Sequence, residues 1–352
     1  MKRYIGIYGG TELTKNESGF IEDLSYALLN QTDFVLVTGG FQSSDDLPEG
    51  SVSTDHSVWL GAKKMMAENK NFLLEERLET WLPDKRYDRK EEGVKRFSKG
   101  KVKEVTGKSA QARRFILVRD VDALITIKGK KHTTMVLDFA FAMNKPIFPL
   151  PFAGGDSFNY WNDDNTIQIK KWFGIDDPFI QKLKSLKLDD LPATEKDQII
   201  KVIIAALHEG IQRRCLILMA YDPGPDQFYL ETVKPAVEEM GYTPIRIDRE
   251  ANEGNILKIY GERLQDSDII LVDITEANPN VMYELGIAHA QNFRTILFSR
   301  KKLDESSRLQ IPFYLTMDSI ENSNATTEEG RAFLAERIKA HLAKRRGVLG
   351  DI

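Results

Sequence analysis

Residues 267–290 read SDIILVDITEANPNVMYELGIAHA. An apolar run, Ile269 to Val272, ends on Asp273. Uninterrupted apolar residues mark a strand buried on both faces, as strands of parallel sheets are. A polar loop with Asn278, Pro279 and Asn280 follows. A helix is expected to open around Met282 and to hold Glu284 in its first turn. Gly286, Ala288 and Ala290 are expected to keep that helix slim against a sheet. Strand, loop and helix in this order form the repeating unit of an α/β domain. The unit also brings two acids, Asp273 and Glu284, toward the carboxyl end of one strand.

The same rhythm extends outward in both directions. Strands are expected near 215–220, 243–247 and 295–298, with helices near 228–240, 256–265 and 328–346. Toward the N-terminus, strands are expected at 4–8, 34–37, 121–127 and 147–150. Helices fit 19–29, a segment starting near Asp55, and 135–143. Between the two series, 180–186 and 198–207 read as amphipathic helices. The fold class is therefore α/β: two doubly wound parallel-sheet (Rossmann-like) domains, 1–162 and 213–352, joined by a helical connector at 163–212. Residues 73–108 break the rhythm and are dense in charges of both signs. They read as a solvated helical insertion, with a lid or an oligomer contact as the alternative.

Composition narrows the function classes. The chain has 352 residues, with 49 Lys+Arg against 53 Asp+Glu and a net charge of −4. That balance lacks the basic footprint of a duplex-binding protein. Cys215 is the one cysteine, so no intramolecular disulfide can form, and its apolar surroundings make it a small buried hydrophobe. No leader segment is read at the N-terminus, and no apolar stretch approaches the ~20 residues a membrane span needs, so a cytoplasmic protein is expected. The histidines are scattered, with no metal-binding spacing, so no metal is expected. The phosphate-loop pattern of ATPases and the nucleophile elbow of serine hydrolases are both missing from the sequence.

Ligands of open α/β sheets sit beyond the carboxyl ends of the strands. In the N-terminal series that edge holds Gly9-Gly10-Thr11, the loop with Gly39 and Gly40, and the loop 129–134 with Gly129, Thr133 and Thr134. Glycines let a backbone approach phosphate, and the following helix offers free N–H groups, although glycine is also the default tight-turn residue. In the C-terminal series the edge holds Asp273, Asn278, Asn280, Tyr283 and Glu284, with Tyr221 and Asp222 after the first strand. A fixed carboxylate there suits cleavage at a ribose anomeric carbon, where oxocarbenium charge develops. A cationic leaving group such as nicotinamide needs no general acid, which leaves one well-placed carboxylate to do the work. The helix dipole alone would also favour an acid in a first turn, and Asp273 could simply cap a turn.

Two resemblances sharpen this. YGGT, TGG and QARRFILVRDVDALITIKGKKHTT, over about residues 1–160, resemble the SLOG superfamily. That group includes cytokinin-activating hydrolases and nucleotide sensors of bacterial defence. PIFPLPFAGG with Tyr160-Trp161 looks most like the sensor branch. Aligned on Asp122-Ala123, the superfamily's arginine falls on Arg113, beside Arg114, and its glycine and threonine fall on Gly129 and Thr133. Its catalytic glutamate falls on Val136, which cannot activate water. Asp138 lies about 200° further round a helix and is a poor substitute. The resemblance implies a receptor for a nucleotide signal, with a surface ion pair as the plain alternative for Arg113 and Arg114. Residues 213–300 resemble the nucleoside 2-deoxyribosyltransferase-like group and its bacterial TIR-like relatives. In that resemblance Glu284 matches the catalytic glutamate, Asp273 the strand-end aspartate, and Asn278 or Asn280 the loop asparagine. Met219-Ala220-Tyr221 stands where members read Met-Pro-Phe.

Together the resemblances imply a sensor fused to an effector. NAD would be a substrate rather than a cofactor, a nucleotide signal would act on the first domain, and a homo-oligomer would form. The competing expectations are a nucleoside 2-deoxyribosyltransferase or nucleotide N-glycosidase, and a binding protein without chemistry.

Overall fold

In the computed structural model, which describes residues 2–43, 48, 50–84, 95–106, 109–247, 256–303, 315 and 320–343, each strand–helix unit joins one of two parallel sheets. The chain divides into two units, Lys2–Ile211 and Gln212–Arg346.

In the first unit, β1 (Tyr4–Gly9), β2 (Val35–Thr38), β4 (Leu78–Pro83), β6 (Lys101–Val105), β7 (Ala123–Ile127) and β8 (Ile147–Leu150) form one sheet of order β6-β4-β2-β1-β7-β8. Every pairing in it is parallel. A short antiparallel ribbon joins β3 (Phe41–Ser43) to β5 (Lys95–Arg96). The order steps outward from β1 and then returns to β7 on its other side. The topological switch point therefore lies between β1 and β7. Helices α1 (Lys15–Gln31) and α2 (Thr54–Glu68) cover one face; α4 (Ala110–Asp120) and α5 (His132–Ala142) cover the other. A short α3 (Leu74–Arg77) leads into β4. The entry to α1 is fixed by a capping box: the Thr14 hydroxyl accepts from Glu17 N while Glu17 accepts from Thr14 N.

Two expectations fail here. The first concerns 163–212. Its helices α7 (Asp163–Phe173), α8 (Asp177–Ser185) and α9 (Ala193–Gly210), after a short α6 (Gly155–Asn159), do not bridge between domains. Their buried Ile169, Phe173, Ile180, Leu183, Ile203 and Leu207 share one apolar cluster with Ile5 and Ile7 of β1. The amphipathic helices are present, but periodicity alone cannot say which sheet a helix covers. The second concerns 73–108. Its described part is mostly strand: β4 buries Trp81 at 1% exposure, and β6 is the sheet's charged edge. Lysines blunt that edge while satisfying the acids behind it. Lys101 pairs with Glu79, and Lys103 lies over the Trp81 ring and near Asp120. Residues 85–94 and 107–108 of this segment lie outside the described ones.

In the second unit β9 (Arg213–Leu218), β10 (Tyr242–Ile245), β11 (Ile269–Asp273), β12 (Thr295–Ser299) and β13 (Ile320–Asn322) take the order β10-β9-β11-β12-β13, all parallel. The switch point lies between β9 and β11. One face packs on α10 (Pro223–Phe228), a π-helical turn at Tyr229–Val233, α11 (Lys234–Glu239) and α14 (Glu328–Ala343). The other packs on α12 (Ile256–Gln265) and α13 (Pro279–Ala290). Residues of β11 alternate between the two clusters: Ile269 and Leu271 go one way, Ile270 and Val272 the other. The last helix is described to Ala343; its expected continuation to 346 lies outside the described residues.

Both units are thus doubly wound parallel sheets flanked by helices. Among the described residues no helix is long and apolar enough to cross a membrane.

Candidate functional site

The C-terminal site is built at the switch point of the second sheet. The loop after β9 carries Tyr221 and Asp222, and the loop after β11 leads into α13, which packs against both β11 and β9. Asn278 caps α13: its side-chain oxygen accepts from Asn280 N at 3.0 Å and Val281 N at 3.4 Å. Pro279 takes the first helical position, where its missing N–H costs nothing. Just before the cap, Ala277 turns the chain with φ +45°, a left-handed conformation rare outside glycine.

This start is three residues earlier than the sequence suggests, and it moves Glu284 from the first helical turn to the second. The helix-terminal charge that would favour an acid falls off within the first turn. Helix polarity therefore does not account for Glu284. Its neighbours Val281, Leu285 and Ala288 are buried, and Glu284 itself is half-buried. The Tyr260 hydroxyl, from α12, donates to the Glu284 main-chain carbonyl at 2.5 Å. The carboxylate has no hydrogen-bond or ion-pair partner among the described residues. Burial without a partner pushes its pKa up to about 7.

Asp273 is differently placed. By strand alternation it belongs with Ile269 and Leu271, on the face away from α13. One carboxylate oxygen accepts from Thr275 N at 3.0 Å and from the Thr275 hydroxyl. The other accepts from Arg300 Nε at 2.6 Å. The side chain is 2% exposed and that of Arg300 14%. The structure thus gives Asp273 an ion pair that ties the end of β11 to the end of β12, and does not bring it to Glu284. Gly286 and Ala290 are exposed, and a Cβ added at Gly286 meets no atom within 4 Å, so only Ala288 of the three small residues packs on the sheet. His289 bonds Thr295 at 3.0 Å within the fold.

Tyr221 is 58% exposed and Tyr283 60% exposed; Asp222 and Asn280 are also exposed. Beneath Tyr221 lies a residue that the sequence reading missed. Arg246, just beyond β10, is buried, with its guanidinium 5.5 Å from the Tyr221 ring centre and 4.7 Å from that of Tyr229. Its Nη1 donates to Asp226 at 2.7 Å.

The N-terminal site is largely closed by the protein's own groups. Gly10 N donates to Ile127 O, and Gly10 O accepts from both Thr54 N and the Thr54 hydroxyl. A Cβ at Gly9 would stand 2.2 Å from Ile127 O, so this glycine answers to close packing of β1 on β7. Thr11 is half-buried beside it. Gly40 and Gly129 have φ of +70° and +90°. Gly129 packs on Thr133, which is buried. The N-terminus of α5 is already occupied by an acid: Thr134 N donates to Asp156 at 3.0 Å. Asp156 N and Ser157 N in turn donate to Gly129 O and Lys128 O, both at 3.0 Å. The segment 154–157 thus holds the loop that resembles a phosphate cradle, and its own carboxylate sits where an anion would.

The two arginines are not surface residues. Arg113 is 3% exposed, donates to Trp81 O at 3.2 Å, and lies directly under Gly39. Asp55, at the start of α2, accepts from Gly39 N and Phe41 N. Burial raises the Asp55 pKa, against the opposing pull of those N–H groups and of Arg113. Arg113 is lowered by burial, and its Nε has no hydrogen-bond partner. Arg114 is 7% exposed and donates from Nε to the Tyr8 hydroxyl at 2.8 Å. Among the described residues no carboxylate pairs with it. A buried cation left uncompensated is costly, and an anionic ligand removes that cost.

No protein-family model matches the chain. No curated protein matches it either. Among solved structures it is similar to the structural-genomics protein TM1055, at 19% identity over 56% of this chain and 98% of that one, with a TM-score of 0.34. A molybdenum cofactor binding protein from the phototrophic bacterium Rippkaea orientalis gives 21% identity over 42% and 75%, with a TM-score of 0.31. The TIR domain of a Toll-related receptor from Hydra magnipapillata gives 13% over 37% and 98%, with a TM-score of 0.30. Likeness at this level adds nothing to what the strand orders already show.

Tyr221 and Asp222 thus follow β9 and Tyr283 and Glu284 lie on the helix that follows β11, the two strands that flank the second unit's switch point, while Asp273 and Asn278 have bonds within the fold. Among the described residues no cluster of His, Cys, Asp or Glu could hold a metal ion. Arg246, Tyr260, Arg300, Asp55 and Asp156 were not singled out from sequence. An arginine two residues before an aspartate in PIRID carries no spacing that announces burial between two tyrosines.

Proposed function

We propose that the C-terminal unit cleaves an N-glycosidic bond, with NAD as the substrate, and that the N-terminal unit gates it by binding a nucleotide signal. The observation that supports this most is the unpartnered, half-buried Glu284 carboxylate at the switch point, with its pKa near 7. Structural acids are paired or solvated; an acid kept half-buried without a partner suits a reacting group.

In the proposed reaction the bond between the ribose anomeric carbon and the nicotinamide nitrogen breaks. Its electron pair neutralises the pyridinium ring, so no proton is needed on the leaving group. Ionised Glu284 stabilises the oxocarbenium charge or attacks the anomeric carbon. Water then adds there and loses its proton, giving ADP-ribose; capture by a group of the same molecule gives a cyclic form. In this reading Asn280, Tyr283 and Asp222 contact the sugar and its substituents.

In the first unit, buried Arg114 without an acid partner supports an anionic ligand. The α5 terminus supports it less, because Asp156 fills it. An enzyme that consumes NAD has to be silent at rest, and a fused sensor supplies the switch. This is the logic of a bacterial antiphage effector acting as a homo-oligomer on a cyclic nucleotide or cyclised ADP-ribose signal. The test is NAD loss by the full chain across such signals, with Glu284→Gln as the control. Base exchange between nucleosides without NAD loss would instead identify a deoxyribosyltransferase.

A further inference from the structure

Tyr260 of α12 is 1% exposed, in the apolar cluster that α12 and α13 share with the sheet, together with Leu264, Val272, Val281 and Leu285. Its hydroxyl makes one hydrogen bond among the described residues, donating to the main-chain carbonyl of Glu284 at 2.5 Å. That carbonyl does not need the bond. Six further residues of α13 follow Glu284, so its carbonyl is not among the unsatisfied ones of the last turn; the N–H four residues ahead serves it. A phenylalanine would fill the same space without taking a hydroxyl out of water. Among the described residues this hydroxyl is also the one hydrogen-bonding group that another element offers to Glu284, whose carboxylate has no partner. Burial, and the Glu284 carboxylate nearby, raise the Tyr260 pKa, so the hydroxyl stays a donor.

We infer that Tyr260 is a positioning residue for Glu284: through the main-chain carbonyl it holds the second turn of α13, so that the carboxylate stays half-buried. Val281, Leu285 and Ala288 pack the inner side of that helix, but apolar contact is non-directional and resists small slides and rotations weakly. A hydrogen bond from a side chain sealed in the core is directional and adds that restraint. Once the turn is freed, the carboxyl reaches water, where its ionised form is favoured. The effect on the carboxyl stands on this geometry alone. The effect on turnover rests on the glycosidase reading above, in which a misplaced acid slows the chemical step rather than weakening substrate binding.

Tyr260→Phe in the full chain removes one oxygen and keeps the ring. The Glu284 carboxyl is followed by carbon NMR of the glutamate-labelled chain, as the signal missing from Glu284→Gln. In wild type its midpoint is expected at about 7. In Tyr260→Phe the midpoint is expected to fall by roughly one pH unit or more, a tenfold loss of proton affinity. Leu264→Val loosens the same cluster without touching the hydroxyl, and is expected to leave the midpoint in place. Tyr260→Met also removes the hydroxyl, and is held to the same outcome should the phenylalanine variant not fold. An unmoved midpoint in the chain without the hydroxyl overturns the inference. So does an equal fall in Leu264→Val, or a wild-type midpoint at the ordinary 4.5. For NAD, kcat in Tyr260→Phe is expected to fall about tenfold with KM unchanged, and its rise with pH to begin at lower pH. A moved midpoint without turnover of NAD under any signal would count against the glycosidase reading alone. Wild-type turnover that Tyr260→Phe leaves intact, with the midpoint unmoved, would count against this inference alone.

Discussion

The Tyr260 hydroxyl holds the main-chain carbonyl of Glu284 at 2.5 Å, while the Glu284 carboxylate bonds to no described residue. The backbone is anchored and the acid is left unsatisfied. Such an arrangement costs stability.

That cost has a sign. The folded carboxyl has a pKa of about 7 against an ordinary 4.5, so between those values the folded chain holds a proton that the unfolded chain has released. Stability contributed by this group is full below about pH 4.5 and falls as pH rises toward 7. Glu284→Gln is therefore expected to stabilise the protein by about 1–2 kcal/mol at pH 8, allowing for partial solvation, and to change little at pH 4. Denaturant unfolding at the two pH values checks this. The same titration predicts that turnover rises with pH through about 7, as the carboxylate becomes ionised.

Asp273 and Arg300 form the opposite kind of pair, buried and mutually satisfied. Arg300→Met should cost about 3 kcal/mol, because it strands a charge that is nearly sealed from water. Adding Asp273→Asn should recover much of that loss. A double variant no more stable than the single one would show that the pair is not the source.

Arg114 is expected to be the ligand sensor of the first unit. Arg114→Met should leave the unliganded protein at least as stable as wild type. It should abolish the gain of about 2–3 kcal/mol that a signal at a hundredfold excess over its Kd confers on wild type. Thermal unfolding with and without each cyclic nucleotide reads both effects.

Glu321 joins β13 to α14 by accepting from Arg337 Nε at 2.8 Å and Nη2 at 2.7 Å, with His341 Nε2 at 2.7 Å. The Arg337 and His341 contacts lower its pKa to about 2. Its stabilisation is full above about pH 4.5 and is lost as pH falls toward 2. Glu321→Gln should cost about 1–2 kcal/mol at pH 7 after allowing for solvent screening, and only a small fraction of that at pH 2. A loss that is the same at both pH values would contradict the pairing.

Strand positions were legible wherever the residues were apolar on both faces, as at Ile269–Asp273 and Ala123–Ile127. They were hidden where a strand lies at a charged sheet edge. KVKEV of β6 has the composition of a solvated segment, and only its parallel pairing with β4 makes it a strand. The same limit applied to 163–210: helical spacing was visible, but whether those helices bridge or cover was not. In the second unit, the neighbours of Glu284 in sequence announce the strand–loop–helix unit that carries it, whereas nothing announces the burial of Arg246, whose ring partners are 17 to 25 residues away along the chain. Asp273 was easy to see and easy to misassign: a strand-end aspartate looks the same in sequence whether it faces a ligand or an arginine from the next strand.

The central claim is that Glu284 acts on an N-glycosidic bond. The most direct measurement is nicotinamide release from NAD by the full chain, with a panel of cyclic nucleotides and cyclic ADP-ribose isomers, beside folded Glu284→Gln. Release is expected to depend on one signal and to be lost in the variant. Signal-dependent release that survives in Glu284→Gln would contradict it.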